Sequence, residues 1–436
     1  MSVFFSLLGM KPRPNHIYKP RTTTPPPVMS DPLFVQVLAA TTKESREQML
    51  SLATARQIYS KKINSTLINK QDNRLRLKAK PPDWHADGSV VDALRSLVHR
   101  GWVLEALDLS RVLLSTDELR NLLPILMQCR SMTDLNMAGN ARARLRVEAL
   151  DAPLRTVLCR TLRSLDLSDN ALEADSARVL ARGLALCSSL TSLNLTKNEL
   201  RTEGARIVLE ALHRGPASVL QDLNLSDNQM TAETAPDLVR VLEQCSSLTS
   251  LCLDENPLGS DAARDIIKAL ERGPALVLQQ LHLMFVSLAA DSAVDLGRTL
   301  TAWPALTTLN IAENEIYDEG VIEIAAALPQ CPSLVLLDLR NTCMDNDGAK
   351  KLAEAMLLCT KLEELDLAGN FVKDEGFHVL LDRAGSCESL QSLDLDNNYI
   401  SNEAIESARW PGNVEVSVQD QLEFLGDLSE DEDEDA

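Results

Sequence analysis

Three arginines alternate with small or apolar residues in one short stretch of the chain, Asn140-Ala-Arg142-Ala-Arg144-Leu-Arg146. A guanidinium or an amide offered from a loop can stabilise a phosphoryl group while it is transferred. Asn140, Arg142 and Arg144 are therefore candidates for action on a nucleotide held by a partner protein. The alternative interpretation is a solvated loop whose arginines do no chemistry, with Asn140 in a structural role.

Signatures of other catalytic chemistry are absent from the sequence. The six histidines are scattered without H-x-x-x-H spacing, and there is no G-x-x-x-x-G-K-[ST] phosphate loop and no G-x-S-x-G elbow. The nine cysteines contain no C-x-x-C pair. We therefore expect no enzymatic activity, no metal site and no cofactor.

One position that recurs every 28 or 30 residues is mostly Asp or Asn. Its negative charge predicts a surface that repels nucleic acid and accepts a basic segment of a protein, with Asp338, Asp366 and Asp394 as binding residues. The alternative is a purely structural preference for Asp and Asn at this position. The column reads Asp108, Asn136, Asp166, Asn194, Asn224, Cys252, His282, Asn310, Asp338, Asp366, Asp394.

An apolar interruption breaks this column. Cys252 and His282 replace Asp or Asn in consecutive units, and Met284 and Phe285 follow at once. Apolar and aromatic groups amid charge are typical of an interface anchor, so these four residues are predicted to bind a partner. The alternative is that Met284 and Phe285 pack into a neighbouring loop.

The elements that position these residues come from an internal repeat. Between Leu104 and Asn398 the chain carries eleven copies of L-x-x-L-x-L-x-x-N or a near copy, each 28 or 30 residues after the last. Such a period predicts a solenoid of stacked units. A buried side-chain amide in the Asn position can satisfy the backbone of a turn leaving each strand. This structural ladder comprises Asn140, Asn170, Asn198, Asn228, Asn256, Asn314, Asn370 and Asn398, with Val112, Val286 and Thr342 as exceptions.

A helix is predicted to follow each strand. Five residues after the Asn position stands an acid, which favours a first helical turn, and apolar residues then recur at helical spacing. The pattern resembles the ribonuclease-inhibitor type of leucine-rich repeat, found also in Ran GTPase-activating proteins, NOD-like receptor C-terminal domains and axonemal leucine-rich repeat proteins. The acids are Asp117, Asp175, Glu203, Glu233, Asp261, Asp291, Glu319, Asp347, Glu375 and Glu403.

The resemblance implies an α/β fold, a leucine-rich-repeat horseshoe of about eleven repeats with a parallel concave sheet and convex helices. Around it the sequence predicts an extended basic Pro-rich arm (1–40), a helix plus basic linker (41–88, the linker at 64–83), the repeat domain with its caps (89–418) and an acidic tail (419–436). No apolar run reaches the length of a membrane span. No membrane partner is expected.

Charge divides the chain into a basic and an acidic part. Residues 1–100 hold 16 Lys or Arg against 7 Asp or Glu, and residues 101–436 hold 27 against 56. The basic arm is predicted either to dock on an acidic surface such as tubulin or to remain a solvated extension. Cysteines at a packing position favour a reducing compartment, so we expect a cytoplasmic, cytoskeletal or ciliary location, with a nuclear one left open.

These features favour a non-enzymatic interaction scaffold, a structural subunit of a cytoskeletal or axonemal assembly anchored by its arm. The first alternative is a GTPase-activating protein resembling the Ran family, with Asn140, Arg142 and Arg144 as its active residues. The second is a ribonuclease-inhibitor-like blocker of a basic protein, because an acidic concavity suits such a target.

Overall fold

The computed structural model describes residues 63–69, 74–79, 90–99, 101–112, 114, 116–140, 148–274 and 276–422. All of them lie in one compact unit, Lys62–Ala436. The predicted arm, the helix expected to follow it (except its last residue, Ile63) and most of the acidic tail lie outside the described residues. Arg142 and Arg144 lie outside them as well.

A single sheet of fourteen strands in chain order runs through the described part of the chain. From β2 onward every neighbouring pair is parallel, and the middle Leu of each unit lies beside its counterpart, as Leu337 does between Leu309 and Leu365. The strands are β1 Ile63–Asn69, β2 Arg74–Ala79, β3 Val103–Asp108, β4 Asp134–Asn136, β5 Ser164–Asp166, β6 Ser192–Asn194, β7 Asp222–Asn224, β8 Ser250–Cys252, β9 Gln280–His282, β10 Thr308–Asn310, β11 Leu336–Asp338, β12 Glu364–Asp366, β13 Ser392–Asp394 and β14 Glu415–Ser417.

Strands β3–β13 carry the eleven predicted repeats, and a helix follows each of them. The predicted acids lie in first helical turns, with Glu233 in a short 3-10 turn ahead of its helix. None of the helices described combines the length and hydropathy of a membrane span. The helices are α1 Val90–His99, α2 Thr116–Leu126, α3 Glu148–Thr156, α4 Ala174–Leu184, α5 Arg201–Arg214, α6 Ala235–Leu242, α7 Ser260–Arg272, α8 Ala290–Leu300, α9 Tyr317–Ala327, α10 Asn346–Met356, α11 Asp374–Ala384 and α12 Asn402–Ser407.

Residues 64–69 and 74–79 do not form the linker that their basic composition predicts. Strands β1 and β2 form an antiparallel hairpin there, and β2 continues into the parallel sheet beside β3. The physical reason is the alternation of Arg74-Leu-Arg-Leu-Lys-Ala79, a period of two that suits a strand despite its charge. The hairpin covers the edge of β3, which would otherwise present unpaired backbone groups. At the far end, α12 and β14 form the predicted closing unit, and β14 pairs with β13.

The core lies between the sheet and the helices and is built from the repeated leucines. Seven of the nine cysteines are buried in it, one at the same position of seven repeats. Six of these thiols hydrogen-bond to backbone carbonyls four residues earlier, as Cys129 Sγ does to Ile125 O at 3.1 Å. Burial raises the pKa of Cys129, Cys187 and Cys245 to about 12. These cysteines are Cys129, Cys159, Cys187, Cys245, Cys331, Cys359 and Cys387.

Candidate protein-binding surface

The asparagine ladder fixes the strand ends from which all surface side chains project. The eight ladder asparagines are buried. Asn256 shows the arrangement: its Nδ2 donates to the carbonyls of Leu225 (3.0 Å) and Leu253 (2.9 Å). Its Oδ1 accepts the backbone N–H of Asn228 (3.1 Å) and of Met230 (3.0 Å) in the preceding repeat. One side chain thus forms the hydrogen bonds that backbone N–H and carbonyl groups of two repeats require, and this holds the turns in register.

Asn140 belongs to this ladder. It is fully buried, and its Nδ2 donates to the carbonyls of Leu109 at 3.1 Å and Met137 at 2.8 Å. An amide so engaged cannot contact a nucleotide on a partner, so the structure corrects the assignment of Asn140 as a phosphoryl-stabilising residue.

The ladder changes where Asn is replaced by Val286. Its apolar side chain cannot accept the N–H of Leu258, which instead donates to the carbonyl of Asn256 at 2.7 Å. Gly259 then adopts φ +86°, a conformation that glycine enters at little cost, and donates to Val286 O at 3.0 Å. The break is repaired locally, so strand β9 keeps its place.

Acidic side chains gather on the open face of the last strands. Asp338, Asp366 and Asp394 are register partners on β11, β12 and β13. Arg340 lies among them: its Nε and Nη2 donate to the two carboxylate oxygens of Asp338 at 3.0 and 2.8 Å, and its Nε lies 3.1 Å from Asp366 Oδ2. One guanidinium therefore bridges the carboxylates of two neighbouring strands, a geometry that suits its planar fork.

Arg340 does not offset the cost of ionising the neighbouring carboxyl groups. Burial, followed by repulsion from Asp338, raises the pKa of Asp366 to about 8 although Arg340 opposes the shift. Burial raises the pKa of Asp394 as well, and that of Glu313 in the loop after β10. Burial and mutual repulsion thus disfavour the ionised form of these carboxylates, an effect that a nearby cation would oppose.

The predicted apolar patch adjoins the acidic residues. Cys252 and His282 are register partners on β8 and β9. Burial raises the pKa of Cys252 to about 12 and lowers the pKa of His282, so both side chains are held neutral near pH 7. Asp254 accepts the backbone N–H of Met284 at 2.8 Å, and burial raises its pKa to about 7. Repulsion from Asp338 contributes to that shift. The patch and the acidic strands are therefore close enough to interact and form one surface.

Phe285 is the exposed member of the patch, with 40% of its surface accessible. It occupies the position just before the Asn column, where all eleven repeats have a positive φ. Gly, Asn and Asp adopt a positive φ at the lowest energetic cost. Phe is the single apolar residue at this position. The fold does not require its ring, which favours a role in binding. The other occupants are Arg111, Gly139, Asp169, Lys197, Asp227, Glu255, Glu313, Asn341, Gly369 and Asn397.

Arg340 was not singled out from the sequence. Arg340 follows Asp338 by two residues, yet its second partner, Asp366, comes one repeat later and meets it only when the strands stack. The available signal was a lone arginine at a position that is small, polar or acidic in neighbouring repeats (Ala312, Ala368, Asp396). Among the described residues, no group of three His, Cys, Asp or Glu side chains is arranged to hold a metal ion.

Comparisons with known proteins address the fold. A leucine-rich-repeat family model matches residues 158–181, 186–206, 304–325, 330–353 and 358–377. In the crystal structure of the yeast Rad7 and Elc1 complex, one chain aligns over 77% of its length with 75% of this chain, at 18% identity and a TM-score of 0.51. An internalin, inlF, from Listeria monocytogenes aligns over 87% of its length with 81% of this chain, at 17% identity and a TM-score of 0.45. The chain therefore contains leucine-rich repeats, folded as an open solenoid of parallel strands and helices.

Proposed function

We propose that this protein is a non-enzymatic interaction scaffold whose open sheet face binds a basic segment of a partner protein. The observation that carries the proposal is the row Asp338, Asp366 and Asp394, three carboxylates in register on adjacent strands with Arg340 as the cation between them. A guest cation would neutralise charge that burial and mutual repulsion now disfavour, and this gain is available only when a partner is bound.

The apolar patch supplies the second half of the interface. Phe285 offers an exposed ring, and Cys252 and His282 are neutral groups set beside the acidic strands. Interfaces of this kind combine an apolar anchor with polar surroundings that fix the register of the guest. The expected partner segment therefore carries basic residues for the acidic strands and one apolar residue for the patch.

The wider role we propose is that of a structural subunit in a cytoskeletal or axonemal assembly, in the cytoplasm or a cilium. It is supported by the division of charge: a basic N-terminal arm suits an acidic surface such as tubulin, while the repeats suit a basic guest. The yeast structure with a similar fold is a complex of two proteins, which agrees with a binding role. We also propose that the repeats are of the ribonuclease-inhibitor type, because a full helix follows each strand and unit lengths of 28 and 30 residues alternate from Asn170 to Val286.

The test is a pull-down from native lysate with mass spectrometry. Asp366→Lys combined with Asp394→Lys should lose the partners that the wild-type chain recovers. Asp382→Lys combined with Glu388→Lys reverses the same charge at exposed positions off the strands and is the matched control. Full recovery by the first variant would overturn the proposal. Recovery of a small GTPase whose GTP hydrolysis this protein accelerates would favour the GTPase-activating alternative. Recovery of a basic enzyme that this protein inhibits would favour the blocker.

Testing the contribution of the arm requires a truncated chain that keeps the hairpin. Strands β1 and β2 pair with the repeat sheet, so a chain beginning at Gly88 would remove the hairpin along with the arm. A chain beginning at Lys62 keeps the hairpin and removes the arm together with residues 41–61. If the arm is an anchor, cytoskeletal proteins are recovered by the full chain and lost from the chain that begins at Lys62.

A further inference from the structure

Aromatic side chains are concentrated at one edge of the sheet, where strands end and helices begin. Only 3% of the chain is aromatic, and eight Phe, Tyr or Trp residues fall between Gly101 and Leu422. Four of these eight lie at this edge within five consecutive repeats. Cys343 occupies the remaining repeat. We call this set the edge row: Phe285, Tyr317, Cys343, Phe371 and Tyr399.

The members of the edge row form local contacts. The rings of Phe371 and Tyr399 have centroids 5.7 Å apart at an interplanar angle of 31°. Tyr317 is 42% exposed, and its pKa is raised by burial of the phenol oxygen and by the nearby Cys343 and Glu315. The row thus forms a partly exposed apolar strip across neighbouring repeats.

The fold does not require rings at these positions. Cys343, Phe371 and Tyr399 each follow the ladder position directly, and earlier repeats place small or polar residues there: Ala171, Glu199, Gln229, Pro257, Ser287 and Glu315. Those repeats form the same strand and helix. Partly exposed aromatics that serve no common packing role are typical of a binding surface.

The edge row runs beside the acidic strands. Asn341 Nδ2 donates to Glu313 Oε1 at 2.7 Å, and the pKa of Glu313 responds to both Arg340 and Asp338. Glu313 therefore connects the loops that carry Tyr317 and Cys343 with the carboxylates of the sheet face. A guest lying on the strands would contact carboxylates on one side and rings on the other.

Arg340 shows how a guanidinium is held on this face. It bridges Asp338 on β11 and Asp366 on β12. The next pair of strands repeats the carboxylates, since Asp366 and Asp394 are register partners, but the position equivalent to Arg340 is Ala368. Because Ala368 has only a methyl side chain, that position supplies no guanidinium of its own.

We propose that the acidic strands and the edge row together select arginine over lysine in the guest. A guest arginine would bridge Asp366 and Asp394 as Arg340 bridges the preceding pair, and further guanidinium groups would stack on the rings of Phe371 and Tyr399. A planar, weakly hydrated guanidinium can pair with carboxylates and lie on aromatic faces, whereas a lysine ammonium is a compact and strongly hydrated charge. The inference rests on the proposed binding of a basic segment and specifies its chemistry.

The test uses the full chain and two labelled twelve-residue peptides of Gly and Ser with four arginines or four lysines at the same positions. Fluorescence anisotropy should show wild type binding the arginine peptide at least fivefold more tightly. Failure to bind either peptide would overturn the proposed function itself. Equal affinity for both peptides would overturn only the selectivity for arginine.

Two sets of variants locate the effect. Ala368→Arg places a guanidinium between Asp366 and Asp394 from within the chain and should weaken binding of the arginine peptide about tenfold. Ala138→Arg adds the same side chain at the same position of the second repeat, beside Asn136 and Asp166, and should leave binding unchanged. Wild-type affinity in Ala368→Arg would overturn the proposed bridging site. Should that variant fail to fold, Asp394→Asn tests the same site with an expected loss of about fivefold, and unchanged affinity would likewise overturn it.

The edge row is tested by Phe371→Leu combined with Tyr399→Leu. Leucine keeps the surface apolar but removes the aromatic faces, so the preference for arginine should fall to within twofold while affinity for the lysine peptide is kept. Trp410→Leu, an exposed aromatic outside the row, is the control and should keep the preference. A preference that survives in the double variant would show that the rings take no part.

Discussion

Two polar columns lie four residues apart in each repeat and have opposite properties. In the tenth repeat Asn370 is buried, and its amide satisfies backbone groups of Leu339, Thr342 and Leu367. Asp366 faces out of the sheet, and its pKa is raised to about 8 by burial and by neighbouring carboxylates. The ladder asparagines form their hydrogen bonds within the chain, whereas burial and repulsion disfavour ionisation of Asp366 even beside Arg340. Polar repetition serves stability in the first case, and we propose that it serves binding in the second.

The largest expected effect tests the ladder. Asn256→Ala removes the hydrogen bonds to two backbone N–H groups and to the carbonyls of Leu225 and Leu253, in a site without solvent. Buried groups left unpaired cost about 1–3 kcal/mol each, part of which relaxation recovers, so the free energy of unfolding should fall by about 3–5 kcal/mol. Urea denaturation measures it. Asn310→Ala, in the outward column with one bond to Ala312 N, is the control. Equal losses would remove the distinction between the columns.

A second prediction concerns the one cation of the acidic strands. Arg340→Ala leaves the buried carboxylate of Asp338 without its bidentate partner, so stability at pH 8 should fall by about 2–3 kcal/mol. The loss should shrink toward pH 5 because protonation of Asp366 relieves its repulsion by Asp338. Arg383→Ala, which removes an exposed pair with Asp382, should leave stability nearly unchanged. A loss independent of pH would indicate that Arg340 acts through packing alone.

A third prediction concerns the effect of Asp366 on the pH dependence of stability. Because the folded protein raises the pKa of Asp366 from 3.8 to about 8, it favours the neutral acid, and stability is lost as pH rises from about 4 to about 8. Asp366→Asn should reduce this loss by about 1–2 kcal/mol, less than the full shift implies since 29% of the side chain remains exposed. Denaturation at pH 5 and pH 8 measures the difference. Asp166→Asn, at the same position of the third repeat, controls for removal of a carboxylate. A variant with the wild-type pH dependence would contradict the prediction.

The smallest expected effect concerns Phe285. Phe285→Asn places a residue suited to a positive φ at an exposed position, so the free energy of unfolding should change by less than about 0.5 kcal/mol. Thermal unfolding, with the buried Leu283→Asn as a strongly destabilised control, measures it. A loss above about 1 kcal/mol would show that the ring packs for stability, in line with the alternative interpretation of the patch.

The repeat was predictable because its restraints are local and recur at a fixed spacing. The same strand-helix unit is indicated independently by the leucines, the ladder asparagines and the acids of the first helical turn. The structure has eleven such units. The hairpin β1–β2 was missed because its alternation of leucine with basic residues was outweighed by composition. The bridge from Arg340 to Asp366 joins residues of adjacent repeats, and no single repeat contains it. Asn140 was assigned two roles from the sequence, and only its burial distinguishes them.

The reactivity of the buried cysteines can report the local opening of individual repeats. Each of these seven thiols belongs to a different repeat and is buried in the core, so an alkylating reagent can reach it only when that repeat opens. The rates of modification, resolved by peptide mapping, would rank the repeats by the free energy of their local opening without any engineered label. A guest that spans β9 to β13 should slow the modification of Cys331, Cys359 and Cys387 more than that of Cys129 or Cys159.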